Sequence, residues 1–241
     1  MTVSFHHYGD FFPGTGSISD IGVDSGRNYA LNFPLREGMD DDSFVRIFKD
    51  IVDSVLQHFR PSVVVLQCGA DSLTGDRLGV FNLTIRGHGA CVEYMAKWNL
   101  PLIVLGGGGY TIRNVARCWA YETGILLNTR LPDELPYNEY YEYYGPEYKL
   151  HIPPGSIENR NSRKELHETT VLLQTLLREL EFAPSVQYSN SIPPSVHDAL
   201  PASVSDTVLK CTSPPHPEDV LPSSHSPAPP TCPALHDTSP S

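Results

Sequence analysis

The sequence predicts an α/β fold built on a parallel sheet with helices on both faces, followed by a tail that does not fold. Two apolar runs carry the sheet, Val63–Cys68 and Leu102–Leu105. Each is continuous rather than alternating, the pattern of parallel strands covered on both sides. Each also enters a glycine-rich loop bearing one reactive side chain: Asp71 after Gln67-Cys68-Gly69-Ala70, and Tyr110 after Gly106–Gly109. The third observation is a composition shift. More than half of the 22 prolines follow residue 190, in a Ser/Pro stretch with almost no apolar periodicity. Such a segment buries too little surface to offset its ordering entropy, so 186–241 is expected to be disordered and 1–185 to hold the core.

The elements follow in order. Thr2–Phe5 reads as a short strand and Tyr29–Phe33 as another, with a Gly-rich loop over 8–28 between them. Asp40–Asp42 offer an N-cap and an acidic first turn to a helix. Its apolar positions Phe44, Ile47, Phe48, Ile51, Val55 and Phe59 keep helical spacing, and Pro61 stops it before the Val63 strand. A second helix is expected from Thr84 to Trp98, with Pro101 leading into the Leu102 strand, and a third from Ile112 to Leu127. Strand–helix–strand–helix order implies right-handed crossovers and a parallel sheet. Residues 136–150 hold six tyrosines among acids and prolines and read as a wrapping loop. Asn161–Glu181 reads as a capped amphipathic helix.

Charge and cysteines narrow the function classes. A net charge of −11 speaks against direct nucleic-acid binding and suits a cationic partner. The five cysteines form no CxxC pair, and Cys68 sits inside a strand pattern, so reduced thiols are expected. No apolar stretch spans a bilayer and no signal peptide opens the chain, so no membrane partner is expected.

Ligands of parallel sheets collect at the carboxyl ends of the strands, where Asp71 and Tyr110 stand. Asp71 reads equally as a turn-capping carboxylate and as a metal ligand or base. Gly106–Gly109, between a strand and a helix, suggests an anion-binding turn but matches no nucleotide motif. Arg77 and Arg113 follow the same two loops; they read as surface ion pairs or as a grip on a phosphorylated ligand. His6 and His7 would face opposite ways if the strand continues through them, and are read as structural.

Together the motifs resemble a family. Phe11–Gly16, Gln67–Leu73, Gly75–Gly79, Gly106–Tyr110, Arg113–Trp119 and the Tyr-rich Leu135–Tyr144 are similar to the zinc-dependent class I histone deacetylases over residues 1–185. The resemblance implies an arginase/deacetylase-like sheet, incomplete here, and zinc-dependent hydrolysis of the acetyl-lysine amide. It places Asp71 as a zinc ligand and Tyr110 as the tyrosine that hydrogen-bonds the acetyl carbonyl. Phe12 becomes an aromatic wall of the substrate channel, Leu78 its rim and Gly108 its floor. Ser4 and Phe5 match contributors to one potassium site and Tyr29 to a second. Arg77 and Arg113 match inositol-phosphate-binding arginines at a corepressor interface. Acetylated histone tails and corepressor proteins are the implied partners, and the nucleus, with the cytoplasm second, the implied location. The family's Asp-x-His ligand pair, histidine base pair and second aromatic wall match no segment from Met1 onward. The chain therefore reads as the C-terminal half of a deacetylase domain, inactive alone. The alternative is a non-catalytic module binding corepressor or inositol phosphate.

Overall fold

The computed structural model describes residues 1–180, so the expected tail over 186–241 lies outside the described residues. Four strands and four longer helices follow in the order β1 (Thr2–His7), β2 (Ala30–Leu35), α1 (Asp41–His58), β3 (Val64–Gln67), α2 (Ile85–Lys97), β4 (Leu102–Leu105), α3 (Ile112–Leu126) and α4 (Arg163–Arg178). The strands pair as two parallel ribbons, β1 with β2 and β3 with β4. Register runs from Thr2 opposite Ala30 to His7 opposite Leu35, and from Val64 opposite Leu102 to Gln67 opposite Leu105.

Helix boundaries follow their caps. The Asp40 carboxylate accepts the Ser43 N–H at 2.9 Å, opening α1. Thr84 caps α2 through the Gly87 N–H at 3.3 Å and is itself held by Asp41 at the start of α1. Ser162 and Glu165 form a reciprocal capping box on α4. That box starts the helix one residue after Ser162, and Glu179 ends it.

The core forms between the ribbons and the helices. Leu31, Phe33 and Leu35 of β2 meet Ile47 and Ile51 of α1 and Leu166, Leu173 and Leu177 of α4. A second cluster joins Phe48, Val52 and Leu56 of α1 to Cys91 and Met95 of α2, with Val64, Leu66 and Leu102 packed against it. Each such aliphatic or aromatic side chain contributes about 1.5–3 kcal/mol by leaving water. A third cluster, with Ile85, Val115 and Cys118, joins α2 and α3 to the loop after β3.

Helices cover only alternate residues of β3 and β4 among the described residues. Val65 and Ile103, on the far face, are 58% and 50% exposed, as are their neighbours Val63 and Leu105 in similar measure. The apolar composition of both runs is that of strands buried on two faces, and one face lacks its cover within the described residues.

Strand β1 extends through His7, two residues beyond the expected end, and the two histidines do diverge. His6 bonds Ser4 Oγ and the Gly16 carbonyl, each at 2.8 Å. His7 turns to the other side, edge-on to Phe11 at 4.5 Å. No helix among the described residues is long and apolar enough to cross a membrane.

Candidate active site at the strand ends

The loop after β3 contains one 3-10 turn, Ala70–Ser72, and Asp71 lies within it. The loop after β4 reaches Tyr110 through Gly109, whose φ of +141° is open to glycine alone. Asp76 ties the two loops together. One of its oxygens accepts the Tyr110 and Thr111 N–H groups at 2.8 and 3.2 Å; the other accepts those of Leu78 and Gly79, both at 2.9 Å. Partial burial would raise this carboxyl, but the four N–H donors outweigh it and hold the pKa below the usual range. That carboxylate occupies the Tyr110 and Thr111 N–H groups at the entry to α3. Within Gly106–Gly109 the glycines allow close approach, since a Cβ on Gly108 would overlap the Asp71 carboxylate and one on Gly106 the Trp119 ring.

Beneath Asp71 lies a buried polar group. His88 on α2 bonds Glu122 on α3 through Nδ1 and holds the Gly69 carbonyl at 3.0 Å through Nε2. Glu122 is 3% exposed and also accepts a hydrogen bond from Cys118 Sγ at 3.6 Å. Burial disfavours the imidazolium, but hydrogen bonding and charge from Glu122 raise the His88 pKa overall. Burial, then Glu122, pushes the Cys68 thiol up to about 12 and the Cys118 thiol higher still. Trp119 Nε1 donates to the Cys68 carbonyl at 2.8 Å, fixing the end of β3 to α3.

His88, Cys118 and Glu122 bring three potential ligand atoms within 4.8 Å of one another. The thiol is held protonated and both imidazole nitrogens already have partners, so this is a satisfied hydrogen-bond network. Around Asp71 the metal test also fails among the described residues. A catalytic zinc needs three protein ligands and an open position. Of the nearby groups, Asp76 is engaged by four N–H donors and His88 by Gly69 and Glu122. The described residues leave Asp71 as the one carboxylate available, so they do not by themselves fit a zinc ion.

Asp71 itself is half-buried at the end of the cleft. Burial raises its pKa most, its own N–H offsets this, Asp76 adds to the rise and His88 opposes it; the net shift is upward. A carboxylate whose folded pKa is raised costs stability above its unfolded value, and that cost disappears at pH below about 3.9. Asp71→Asn is therefore expected to raise the urea midpoint at pH 7 and to leave it nearly unchanged at pH 3. An unchanged or lowered midpoint at pH 7 would show a structurally employed carboxylate.

Asp71 and Tyr110 line one cleft of about 1060 Å³, and Phe12, Leu78, Ser4 and Phe5 line it with them. Phe12 is 90% exposed. His7 lines the same cleft with a buried Nδ1 that has no hydrogen-bond partner, and burial lowers its pKa. Four expected site residues do not line it: Gly108, which lies against the Asp71 carboxylate, and Tyr29, Arg77 and Arg113. The Tyr29 ring packs on Phe59 at 6.2 Å, at the opposite end of the β1–β2 ribbon. Arg77 and Arg113 are exposed beside the Asp76 knot, and neither forms an ion pair among the described residues. Sequence reading named Asp76 only inside a motif and missed His88 and Glu122. The signal was present: His88 falls in the apolar stripe Ile85–Val92–Met95 of α2, and Glu122 in the stripe Val115–Cys118 of α3.

Comparison with known proteins agrees with this geometry. The profile of the histone deacetylase domain matches residues 1–126. A type-1 histone deacetylase 1 of Dictyostelium discoideum is 59% identical over 194 residues, 80% of this chain and 39% of that protein. Histone deacetylase 3 of Oryza sativa is 58% identical over 193 residues, 80% of this chain and 38% of that protein. Human histone deacetylase 1 is 58% identical over 187 residues, 78% of this chain and 39% of that protein. The chain thus spans about two fifths of the length of the curated relatives it matches. With its profile match, its relatives and its strand-end loops in agreement, the chain belongs to the histone deacetylase family.

Proposed function

We propose that this chain supplies the C-terminal half, residues 1–185, of a zinc-dependent lysine deacetylase site, acting on acetylated histone tails in the nucleus. The observation that carries the reading is the delivery of Asp71 and Tyr110 to one cleft by two loops that Asp76 knots together. Zinc, when bound, polarises the amide carbonyl and lowers the pKa of a bound water to about 7. The chain's own contribution is positional. Asp71 offers one ligand oxygen, kept close to the Gly108 backbone by the absence of a Cβ there. The Tyr110 hydroxyl donates to the acetyl carbonyl oxygen and holds it as negative charge develops, a role worth about 10²–10³-fold in analogous sites. Phe12 and Leu78 flank the lysine alkyl chain at the mouth, above Gly108. Ser4 and Phe5 on β1, and Tyr29 before β2, are the proposed potassium contributors. The net charge of −11 favours a basic tail.

A second reading has its own support. Arg77 and Arg113, exposed and free of carboxylates among the described residues, suit an inositol phosphate at a corepressor surface. Titration of the chain with inositol hexakisphosphate tests it: binding lost in Arg113→Ala supports that role with or without catalysis.

Acetate release from an acetyl-lysine peptide tests the main reading. The 241-residue chain alone is expected to show no turnover. Co-expressed with the part of the Dictyostelium relative that it does not match, it should turn over, and Tyr110→Phe should lower kcat by about 10²–10³-fold. Activity of the assembly that is indifferent to Tyr110→Phe contradicts the role assigned to that phenol. Turnover by the chain alone contradicts the proposal that it supplies only part of the site.

A further inference from the structure

The Tyr110 phenol is aimed by its backbone. The residue is 43% exposed, and among the described residues its hydroxyl has no hydrogen-bond partner and its ring no aromatic neighbour. Its direction therefore follows from the chain on either side of it. Before it, Gly109 holds a φ of +141°, and a Cβ there would stand 2.6 Å from Val115 Cγ2 and 3.2 Å from Ala70 Cβ. After it, Thr111 occupies the N-cap of α3, yet its side chain makes no capping bond. The Thr111 hydroxyl donates instead to the Gly75 carbonyl at 2.9 Å, in the other loop. A helix start without its own cap leaves N–H groups to be served from elsewhere. Asp76 Oδ2 serves those of Tyr110 and Thr111, and its charge suits the positive end of α3.

The other oxygen turns to the rim. Asp76 Oδ1 accepts the Leu78 and Gly79 N–H groups. Gly79 is pressed on the loop of Asp71, since a Cβ there would lie 1.7 Å from the Asp71 carbonyl oxygen. Leu78 is 55% exposed and lines the cleft with Tyr110, whereas Asp76 does not line it. A carboxylate offers about four acceptor sites, and four N–H donors fill them here. Asp76 is left with no site for a substrate, and the fixed geometry of its two oxygens spans from rim to phenol.

We propose that Asp76 is the positioning residue of the site: it aims the Tyr110 phenol into the cleft and fixes its distance from the Leu78 rim, without touching substrate. The inference rests on the role proposed above for Tyr110, while its first test involves neither zinc nor acetyl-lysine.

That test is fluorine NMR of the whole chain, with fluorotyrosine installed in place of Tyr110 or, as a control, of Tyr121. Tyr121 lies on α3 with its ring edge-on to His151 at 4.7 Å. In Asp76→Asn the carbonyl oxygen keeps Leu78 and Gly79, and the amide NH2 meets the Tyr110 and Thr111 N–H groups donor to donor. The line at position 110 should fall at least half the way to its position in the urea-unfolded chain, with the line at 121 unmoved. An unmoved line at 110 overturns the proposal. Where both lines move, Asp76→Glu decides, keeping the charge with one methylene more. Movement at 110 alone then supports the assignment; a 110 line that stays, or a 121 line that moves with it, overturns it.

Kinetics of the chain assembled with the unmatched part of the Dictyostelium relative supply the second readout. Asp76→Asn should lower kcat about 10²-fold and leave KM within about twofold. In the Tyr110→Phe background it should lower kcat no further, because the hydroxyl it aims is gone. Equal losses in both backgrounds, or a raised KM at constant kcat, would overturn the positioning role. An assembly with native Asp76 that releases no acetate faults the proposed function alone, and the fluorine lines still decide what holds Tyr110.

Discussion

Glu122→Ala should lower the stability of the chain by roughly 3–5 kcal/mol, the cost of removing one partner from a buried ion pair. Both members are nearly sealed from solvent, with His88 at 11% and Glu122 at 3% side-chain exposure. Without Glu122, the imidazole either stays charged in an apolar setting or gives up its proton, and the Gly69 carbonyl loses a fixed partner. The pH dependence separates this pair from ordinary packing. The His88 pKa is raised in the folded chain, so its contribution is complete below the unfolded value near 6.5. It is lost as pH rises through the higher folded value. The difference in urea midpoint between the native chain and His88→Gln should therefore be widest below pH 6.5 and narrow on the alkaline side. A difference that is flat in pH would show that His88 serves by shape alone.

Asp76→Ala should be the second large effect, costing roughly 2–4 kcal/mol as four N–H groups lose a charged acceptor. Its signature is local as well as global. The amides of Leu78, Gly79, Tyr110 and Thr111 should exchange faster than the helix amides of α2 and α3, which the substitution does not touch. Because the folded pKa is lowered, the stabilisation is present above about pH 3.9 and disappears as pH falls through the folded value. Acid unfolding of Asp76→Asn should accordingly start from a lower midpoint and fall less steeply. Unaltered exchange at Tyr110 would mean that the two loops are not held by this carboxylate.

Helix positions were legible because their signals are local. Asp40, Thr84 and Ser162 cap at the places their residue types favour, and Pro61 and Pro101 mark the turns that follow α1 and α2. The parallel pairing was legible from the crossover order. Coverage was not: Val63–Cys68 carries the composition of a strand buried on two faces, which says nothing about which segment provides the second cover. The end of β1 was misplaced because histidine has no strong strand preference, and its extension is fixed by pairing with Pro34 and Leu35 at a distance in sequence. The site divides in the same way. Asp71 and Tyr110 follow strands directly and could be read from loop position. His88 and Glu122 lie 34 residues apart on different helices, and only the packing of two apolar stripes brings them together. The role of Asp76 depends on N–H groups from another loop, for which the residues around it give no pattern.

Zinc stoichiometry by equilibrium dialysis and elemental analysis tests most directly whether Asp71 is a ligand awaiting others. The isolated chain should hold no stoichiometric zinc at micromolar concentrations. Its assembly with the unmatched part of a deacetylase should hold one ion per chain and lose it in Asp71→Ala. One zinc bound by the isolated chain, or zinc in the assembly that survives Asp71→Ala, would contradict this.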